Sequence, residues 1–502
     1  MVKEMMTPIQ KSIFSYFQIF AEECPHQDFL FDEQRHYTVA EAFREAICIG
    51  NQLFELGIHR GSCVALRCTR SLDTCLIYLS LQMLGATVLM TDPHQNVADF
   101  LLHAAASADF SITNEAASSD LAANGNWMVS GTHRLTIGYP AGKEPQHFPT
   151  GEDLHAPSTI IFTSGSTGKC KAVALSQYNL VNHIRNFSTS GCYDADDRSP
   201  ELLPIHHVFG LAVILMGLVQ RYCIFFPHTT DIPYIAQCIQ QHKLTRLDGV
   251  PSYALALSDY HSNHPFCAES LRVGVLGGAP STKAQFDFIQ QQLGVKLLPV
   301  YGQSECIGIT GADETESDTV RACTVGKFLP MNRGYILDDL NQELPQGAEG
   351  EICVQGPAVM LGYWNDPDAT REAIDAEGRL HTGDLGWLDE AGNLHISGRK
   401  KDIIIRNGNN ISARKIEEAL QALPDVTHAA VVGIADGQQG EIPCALLVSA
   451  SEPYLPADQI RTQLVPLLAK NELPEMILFC DKLPMTASGK PDKQAIKSLF
   501  TH

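Results

Sequence analysis

The sequence predicts an α/β protein. A large N-terminal domain of doubly wound α/β subdomains plus a β subdomain is expected over 1–400, and a small α+β domain over 401–502. Three observations lead there. The chain has 502 residues, too many for one hydrophobic core. Apolar strand-like runs alternate with helical periodicity through Leu276, as parallel doubly wound layers require. From Gly326 to His395 the pattern changes to short strands with Gly- and Pro-containing turns, and after Arg399 a compact unit of different pattern begins.

The elements follow in order. Met1 to Phe20 lacks the long apolar core and small-residue cleavage site of a secretory signal. Tyr37 to Leu56 has helical spacing of apolar positions after Thr38, a suitable N-cap. Val64–Leu66 reads as a strand, and Cys75–Leu84 as a helix stopped by Gly85. Asn114 to Glu152 is rich in Ala, Gly, Ser and Asn and is expected to be irregular. Thr159-Ile160-Ile161-Phe162 reads as a buried strand. Val208–Val219 is the most apolar stretch, but Gly210 and Gly217 interrupt it and it is too short to span a bilayer, so a buried helix is expected. Strand signals recur at Leu247–Val250 and Leu271–Leu276. In the last unit, strands are expected at Ile403–Ile405 and Ala429–Val432 and a helix at Ala413–Leu423. No internal repeat is visible.

Hydrophobic content is 44% and charged content 19%, within the globular range. The net charge of −21 argues against a nucleic-acid binder, which needs a basic face. An acidic protein that holds a polyphosphate needs Mg²⁺ and local Lys and Arg to offset its own field. The 15 cysteines are scattered without a C-x-x-C pair, as expected for reduced thiols in the cytoplasm. No membrane span is expected.

The most informative tract is Thr163-Ser164-Gly165-Ser166-Thr167-Gly168-Lys169-Cys170-Lys171, directly after the Thr159–Phe162 strand. Glycines let a backbone approach phosphates closely, and hydroxyls and ammonium groups then bind the oxygens. A polar turn is the plain alternative. It is not a Walker loop, which wants Gly where Thr163 stands and Ser or Thr where Cys170 stands.

Further tracts follow: Pro204-Ile205-His206-His207-Val208-Phe209-Gly210; Gly277-Gly278-Ala279-Pro280; Val300-Tyr301-Gly302-Gln303-Ser304-Glu305; His381-Thr382-Gly383-Asp384; Gly398-Arg399-Lys400-Lys401-Asp402; and Leu483-Pro484-Met485-Thr486-Ala487-Ser488-Gly489-Lys490. Both middle Gly-rich turns follow apolar strands, where open α/β sheets bind ligands. In kind and order, across nearly the whole chain, these tracts resemble the adenylate-forming superfamily of acyl- and aryl-CoA synthetases, peptide-synthetase adenylation domains and luciferases. The phosphate loop departs from the usual Thr-Ser-Gly-Thr-Thr-Gly-x-Pro-Lys-Gly at Cys170 and Ala172.

The resemblance implies ATP, Mg²⁺ and CoA as ligands. It implies that Thr163, Ser164, Gly165, Ser166, Thr167, Gly168 and Lys171 hold phosphates and that Gly278, Ala279 and Pro280 pass along the adenine. Tyr301 would stack on the base beside Gly302 and Gln303, Ser304 would meet the α-phosphate, and Glu305 would hold Mg²⁺. Asp384 would accept the ribose hydroxyls and Arg399 would reach ribose or phosphate. Lys401 matches the hinge about which a mobile C-terminal domain turns, and Lys490 the catalytic lysine that bridges carboxylate and α-phosphate. Thr163, His207, Glu305 and Lys490 are the expected catalytic set. The substrate pocket is expected at His207, Gly210, Tyr253, Gly277, Gly302, Cys306, Ile307 and Gly308. It reads as mostly apolar, without an obvious Lys or Arg for a second acid group, which favours a medium-chain fatty or aryl acid.

The expected activity is therefore an ATP-dependent carboxylate–CoA ligase acting through an acyl-adenylate. Two alternatives stay open: loading of the acyl group onto an acyl carrier protein, and a nucleotide-binding regulator without turnover. The Asp402 to Asn410 tract looks somewhat like that of fatty-acyl-AMP ligases, but Val208 stands where their pocket tract has Asp after His. No match to the amino-group Asp of amino-acid adenylation domains is found, and only twelve residues follow Lys490, too few for a carrier domain.

Overall fold

The computed structural model describes residues 7–94, 96–97, 101, 106–114, 127–130, 133–135, 137, 153–164, 170–190, 192–449, 454–485 and 491–500; of Ser164 it describes the backbone alone. The chain divides into two compact units, Met1–Gly334 with Val354–Leu380, and Tyr335–Cys353 with His381–His502.

The first unit is built on three sheets. In the largest, the strands Pro157–Ser164, Thr87–Thr91, Cys63–Arg67 and Phe110–Asn114 lie side by side and parallel. Antiparallel strands extend it on both sides: Cys170–Ser176 and Gly362–Tyr363 on one, Trp127–Val129 and His133–Leu135 on the other. Apart from Ser130 and Ile137, the remaining residues of the Asn114–Glu152 stretch lie outside the described residues. The helix Leu72–Leu84 is buried along its whole length. Ser71 caps its start, and Gly85 ends it in the left-handed region at φ 69°, which a side chain would disfavour. It begins three residues earlier than the apolar pattern suggests, because Ser71 and not the pattern sets the N-terminus. Val39–Glu55 is a helix whose Thr38 and Glu41 form a reciprocal capping box.

A second sheet joins Arg198–Pro200, Cys223–Phe225, Asp28–Phe31 and His36–Thr38. The expected apolar helix runs Val208–Gln220 and buries Leu211, Val213, Ile214, Leu215, Met216 and Leu218. Burial of each such side chain contributes about 1.5–3 kcal/mol. Gly217 lets it approach the second sheet, since a Cβ there would stand 2.6 Å from Ile224 Cδ1.

The third sheet pairs Val273–Leu276 in parallel with Lys296–Gln303, which continues as an antiparallel hairpin into Cys306–Gly311. Leu247–Val250 differs from expectation. It forms isolated bridges, Arg246 to Val273 and Gly249 to Leu276, and no strand of its own, because the helix Pro251–Asn263 begins at once. A buried ion network ties it in. Arg246, 0% exposed, lies 3.2 Å from Asp197 and 2.8 Å from Asp248, and Asp248 accepts the Val275 N–H at 2.9 Å. That bond fixes the strand whose carboxyl end opens into Gly277.

The second unit carries most of an antiparallel sheet of Arg333–Leu337, Gly350–Gln355, Leu380–Leu388 and Leu394–Arg399. It also carries a sheet of Asn409–Ser412, Ile403–Arg406, Gly440–Ser449, Val426–Asp436 and Met476–Phe479, covered by the helix Ala413–Gln421 through Ile416 and Leu420. The cysteines are thiols. Among the described residues, no helix is long and apolar enough to cross a membrane.

Candidate active site

The Gly/Ser/Thr-rich tract starts and ends on two paired antiparallel strands, Pro157–Ser164 and Cys170–Ser176. Thr163 pairs with Lys171 and Ser164 with Cys170, and Thr163 Oγ1 donates to the Lys171 carbonyl at 3.4 Å. Gly165, Ser166, Thr167, Gly168 and Lys169 lie outside the described residues. Cys170, Lys171 and Ala172 belong to the returning strand, and Ala172 packs with Ile160 and Phe162 at 7% exposure. Ala172, one of the two residues that depart from the usual loop pattern, is thus a core residue here.

The two other Gly-rich turns stand at adjacent strand ends. Gly277 follows Val273–Leu276, and a Cβ on it would meet Val300 Cγ2 at 2.8 Å and Phe209 Cε1 at 3.4 Å. Gly278 has φ +80°, and Val250 Cγ1 lies 3.6 Å from its Cβ position. These contacts bring the His207–Gly210 tract, the start of the Tyr253 helix and the Val300–Glu305 tract together as one apolar wall. Phe209, Val250 and Val300 are wall members beyond the expected pocket set, although Phe209 and Val300 stand inside recognised tracts. Gly302 is dictated by packing, because a Cβ would stand 2.0 Å from the Ile307 carbonyl oxygen. Gly308 faces His183 and Gly210 the Pro204 carbonyl in the same way. Cys306 is fully buried, and burial pushes its thiol up to about 12, so it is inert packing at this wall.

His207 is the N-cap residue of the Val208–Gln220 helix, with its ring 4.4 Å from that of His206. Burial, then the neighbouring His207, hold the His206 imidazole down at about 4, so it stays neutral at working pH. Tyr253 donates its hydroxyl to the Thr230 carbonyl at 2.8 Å. Arg70, which no motif announces, is largely buried within electrostatic reach of Glu201 and Tyr253, and desolvation lowers its pKa. Glu201 is fully buried with its pKa raised by desolvation, which favours the neutral acid.

Ser304 and Glu305 form the two-residue tip of the hairpin that pairs Gln303 with Cys306. Tyr301, 9% exposed, lies on the incoming strand. Glu305 is half-buried, and its Oε1 accepts the Tyr363 hydroxyl at 2.8 Å. Lys171 Nζ sits over the Tyr363 ring, 4.5 Å from its centroid. The phosphate-tract lysine and the expected metal carboxylate thus meet on one tyrosine. Tyr363 was not read from the sequence; its Gly-Tyr-Trp context looks like any strand. A carboxylate held through one oxygen, beside the Ser304 hydroxyl and with the Cys306 thiol buried away, is a hard-donor set that fits Mg²⁺.

In the second unit, Asp384 and Arg399 are cross-strand partners, with Arg399 Nε 2.9 Å from Asp384 Oδ1. The turn before Asp384 is fixed from below. Thr382 Oγ1 donates to the Ile352 carbonyl at 2.7 Å and accepts the Asp384 N–H at 3.1 Å, and Glu351 Oε1 accepts the Gly383 N–H at 3.1 Å. Glu351, Cys353 and His381 could together hold a metal ion, but Lys400 Nζ already lies 3.3 Å from Glu351 Oε2 and supplies the positive charge. Lys401 follows in the 3₁₀ turn Lys400–Asp402, where desolvation and then the Arg399 charge push its ammonium pKa down. Lys490 lies outside the described residues.

The model of the AMP-binding enzyme family matches residues 17–364, and that of the AMP-binding enzyme C-terminal domain matches 415–490. The chain belongs to the AMP-binding enzyme family. Within the adenylate-forming superfamily it is 33% identical over 340 residues to the putative acyl-CoA synthetase YngI of Bacillus subtilis, covering 67% of this chain and 62% of that one. It is 28% identical to 2-succinylbenzoate–CoA ligase of Bacillus thuringiensis over 93% of this chain and 94% of that one. Four curated relatives at 31–34% identity are spanned over 62–66% of their own length. The fold is shared with ATP-bound MatB from Rhodopseudomonas palustris at TM-score 0.82, with 24% identity, 98% of this chain and 99% of that one covered. The AMP-binding family member described here therefore has the expected α/β architecture with a large N-terminal and a small C-terminal domain.

Proposed function

We propose that this chain is an AMP-forming carboxylate–CoA ligase. The observation that carries the reading is the Lys171–Tyr363–Glu305 contact chain, which seats a phosphate-type cation and a Mg²⁺-type carboxylate on one side chain. The names of the relatives, acyl-CoA and 2-succinylbenzoate–CoA ligases among them, support the same chemistry.

In this reading a carboxylate oxygen attacks the α-phosphorus of ATP, the bond to the bridging oxygen breaks, and pyrophosphate leaves. The thiol of CoA then attacks the acyl carbon, loses its proton, and AMP leaves. Both reactants of the first step are anionic, so the work is positioning and charge stabilisation, with no side-chain nucleophile. Lys171 and the hydroxyls of the Thr163 tract hold phosphate oxygens, and Tyr301 and the Gly277–Pro280 turn hold the base. Asp384 and Arg399 hold the ribose, His207 lines the carboxylate pocket, and Lys490 offsets charge on carboxylate and α-phosphate. Mg²⁺ at Glu305 supplies further neutralisation when bound.

The acid is proposed to be a medium-chain fatty or aryl acid, which the apolar wall of Phe209, Val250 and Val300 supports. Arg70, within reach of Tyr253, makes acids with a second polar group the competitor to include. The test is mass spectrometry of products from purified protein, ATP, Mg²⁺, CoA and a pooled panel of fatty, aryl and dicarboxylic acids. An acyl-CoA product is expected. Acyl-adenylate accumulating without acyl-CoA would move the acceptor to a carrier protein. ATP binding without either product, over the whole panel, would sink the ligase reading.

A further inference from the structure

Tyr363 belongs to none of the recognised tracts, yet it touches two of them. Its hydroxyl donates to Glu305 Oε1 at 2.8 Å, and its ring face carries Lys171 Nζ at 4.5 Å from the centroid. Lys171 and Glu305 are opposite charges in a part-buried place, where attraction is strong. Left adjacent, they would pair and neutralise each other. A phenol separates them while contacting both, through a π-face for the ammonium and a hydroxyl for the carboxylate.

The backbone holds the ring in place from several sides. Gly362 and Tyr363 pair with Ala174 and Val173 of the strand that carries Lys171. Leu361 and Trp364 N–H groups donate to the Ala174 and Ala172 carbonyls at 2.9 and 2.7 Å. The Tyr363 N–H donates to Thr370 Oγ1 at 2.9 Å. The Met360 N–H donates to the Glu305 carbonyl at 2.8 Å, so the same short segment is stitched to the hairpin tip. Gly362 has φ +146°, and a Cβ there would stand 2.7 Å from Thr370 Cγ2, so the approach needs glycine.

We propose that Tyr363 is a positioning residue that holds the Glu305 carboxylate ready for the metal of a metal–nucleotide complex and keeps the Lys171 ammonium apart from it for the phosphates. This rests on the reading of the chain as a user of MgATP. Partners that orient a metal-binding carboxylate typically change metal affinity by about 10–100-fold when removed.

The test uses the full chain, with Mn²⁺ as a paramagnetic probe. Mn²⁺ affinity in the presence of ATP is read by electron paramagnetic resonance, and metal-free ATP affinity by calorimetry. Tyr363→Phe keeps the ring and loses the hydroxyl. It is expected to weaken Mn²⁺ binding by about tenfold, with metal-free ATP affinity and melting temperature close to wild type. Tyr363→Leu loses both contacts and is expected to weaken metal-free ATP binding as well. Unchanged Mn²⁺ affinity in Tyr363→Phe overturns the proposal. So does an equal loss of both affinities together with a lower melting temperature, the signature of a merely structural tyrosine. A wild type that binds no Mn²⁺–ATP overturns this proposal and the ligase reading together. A wild type that binds Mn²⁺–ATP but forms no acyl-adenylate overturns the ligase reading alone and leaves the Tyr363 comparison decisive.

Discussion

Arg399 Nε lies 2.9 Å from Asp384 Oδ1, across the register pair that joins the two residues on antiparallel strands. The pair is asymmetric: the Asp384 side chain is 6% exposed and that of Arg399 44%. The carboxylate is therefore held by the fold, while the guanidinium is the part that can move. Thr382 and Glu351 fix the turn beneath it by bonds to the Asp384 and Gly383 N–H groups.

Asp384→Asn removes one charged acceptor and is expected to raise the KM for ATP in pyrophosphate exchange by roughly tenfold or more, the value of a hydrogen bond to a charged group. Arg399→Gln takes the guanidinium away from the Asp384 carboxylate. It is expected to lower stability by about 1–2 kcal/mol, between the exposed-pair and buried-pair limits. An unchanged KM for Asp384→Asn would remove that residue from nucleotide binding.

The guanidinium of Arg246 is buried between Asp197 and Asp248 and stacks on the Tyr193 ring at 4.1 Å. Arg246→Met keeps the volume, takes the guanidinium away from buried Asp248 and leaves Asp197 to Arg272 alone. The expected loss is about 3–5 kcal/mol by denaturant titration. Because Asp248 holds the strand end that leads to Gly277, adenylation is expected to fall with it. A loss below about 1 kcal/mol would mean that Arg272, also on Asp197, carries the network instead.

The sequence made the layers legible because periodicity and caps are local. Thr38 and Gly85 mark a helix start and a helix end, whereas the Ser71 cap three residues before the apolar pattern begins does not show in the periodicity. The sequence points to a candidate site where composition is unusual, as in Thr163–Lys171 and Gly277–Pro280. It hid Tyr363 and the wall roles of Phe209 and Val250, because each acts through a neighbour distant in sequence and looks like ordinary strand or core. It also hid the reason for Gly302, which is the close Ile307 carbonyl, a contact that only the folded hairpin creates. Leu247–Val250 read as a full strand because apolar composition reports burial, whereas strand length depends on where the next helix starts.

His183 is fully buried, and desolvation holds its imidazole at about 3, against 6.5 when unfolded. The unfolded chain therefore binds its proton first as pH falls. The neutral-histidine contribution is present in full above pH 6.5 and is lost between 6.5 and 3, at about 1.4 kcal/mol per pH unit. His206, held near 4, adds in the same direction. Melting temperature is expected to fall from pH 7.5 to 5, and His183→Gln is expected to flatten that slope. Parallel curves for the two proteins would mean that His183 does not carry the pH dependence.

The two half-reactions are expected to separate genetically. Adenylate formation needs a cation that bridges carboxylate and α-phosphate, the role proposed for Lys490; thioester formation needs that cation moved away so that the thiol can approach. Lys401 lies in a single 3₁₀ turn, Lys400–Asp402, directly after the strand that ends at Arg399. A short turn of this kind can absorb a large dihedral change, and proline fixes φ. Lys490→Ala is expected to lower adenylation by about 10²–10³-fold, the cost of one preorganised charge contact, while preformed acyl-adenylate is still consumed with CoA. Lys401→Pro is expected to do the reverse, sparing pyrophosphate exchange and slowing thioester formation. Measuring exchange and acyl-adenylate consumption separately on both variants decides it: equal loss of both activities in Lys401→Pro refutes the hinge, and full exchange in Lys490→Ala removes the lysine from the first step.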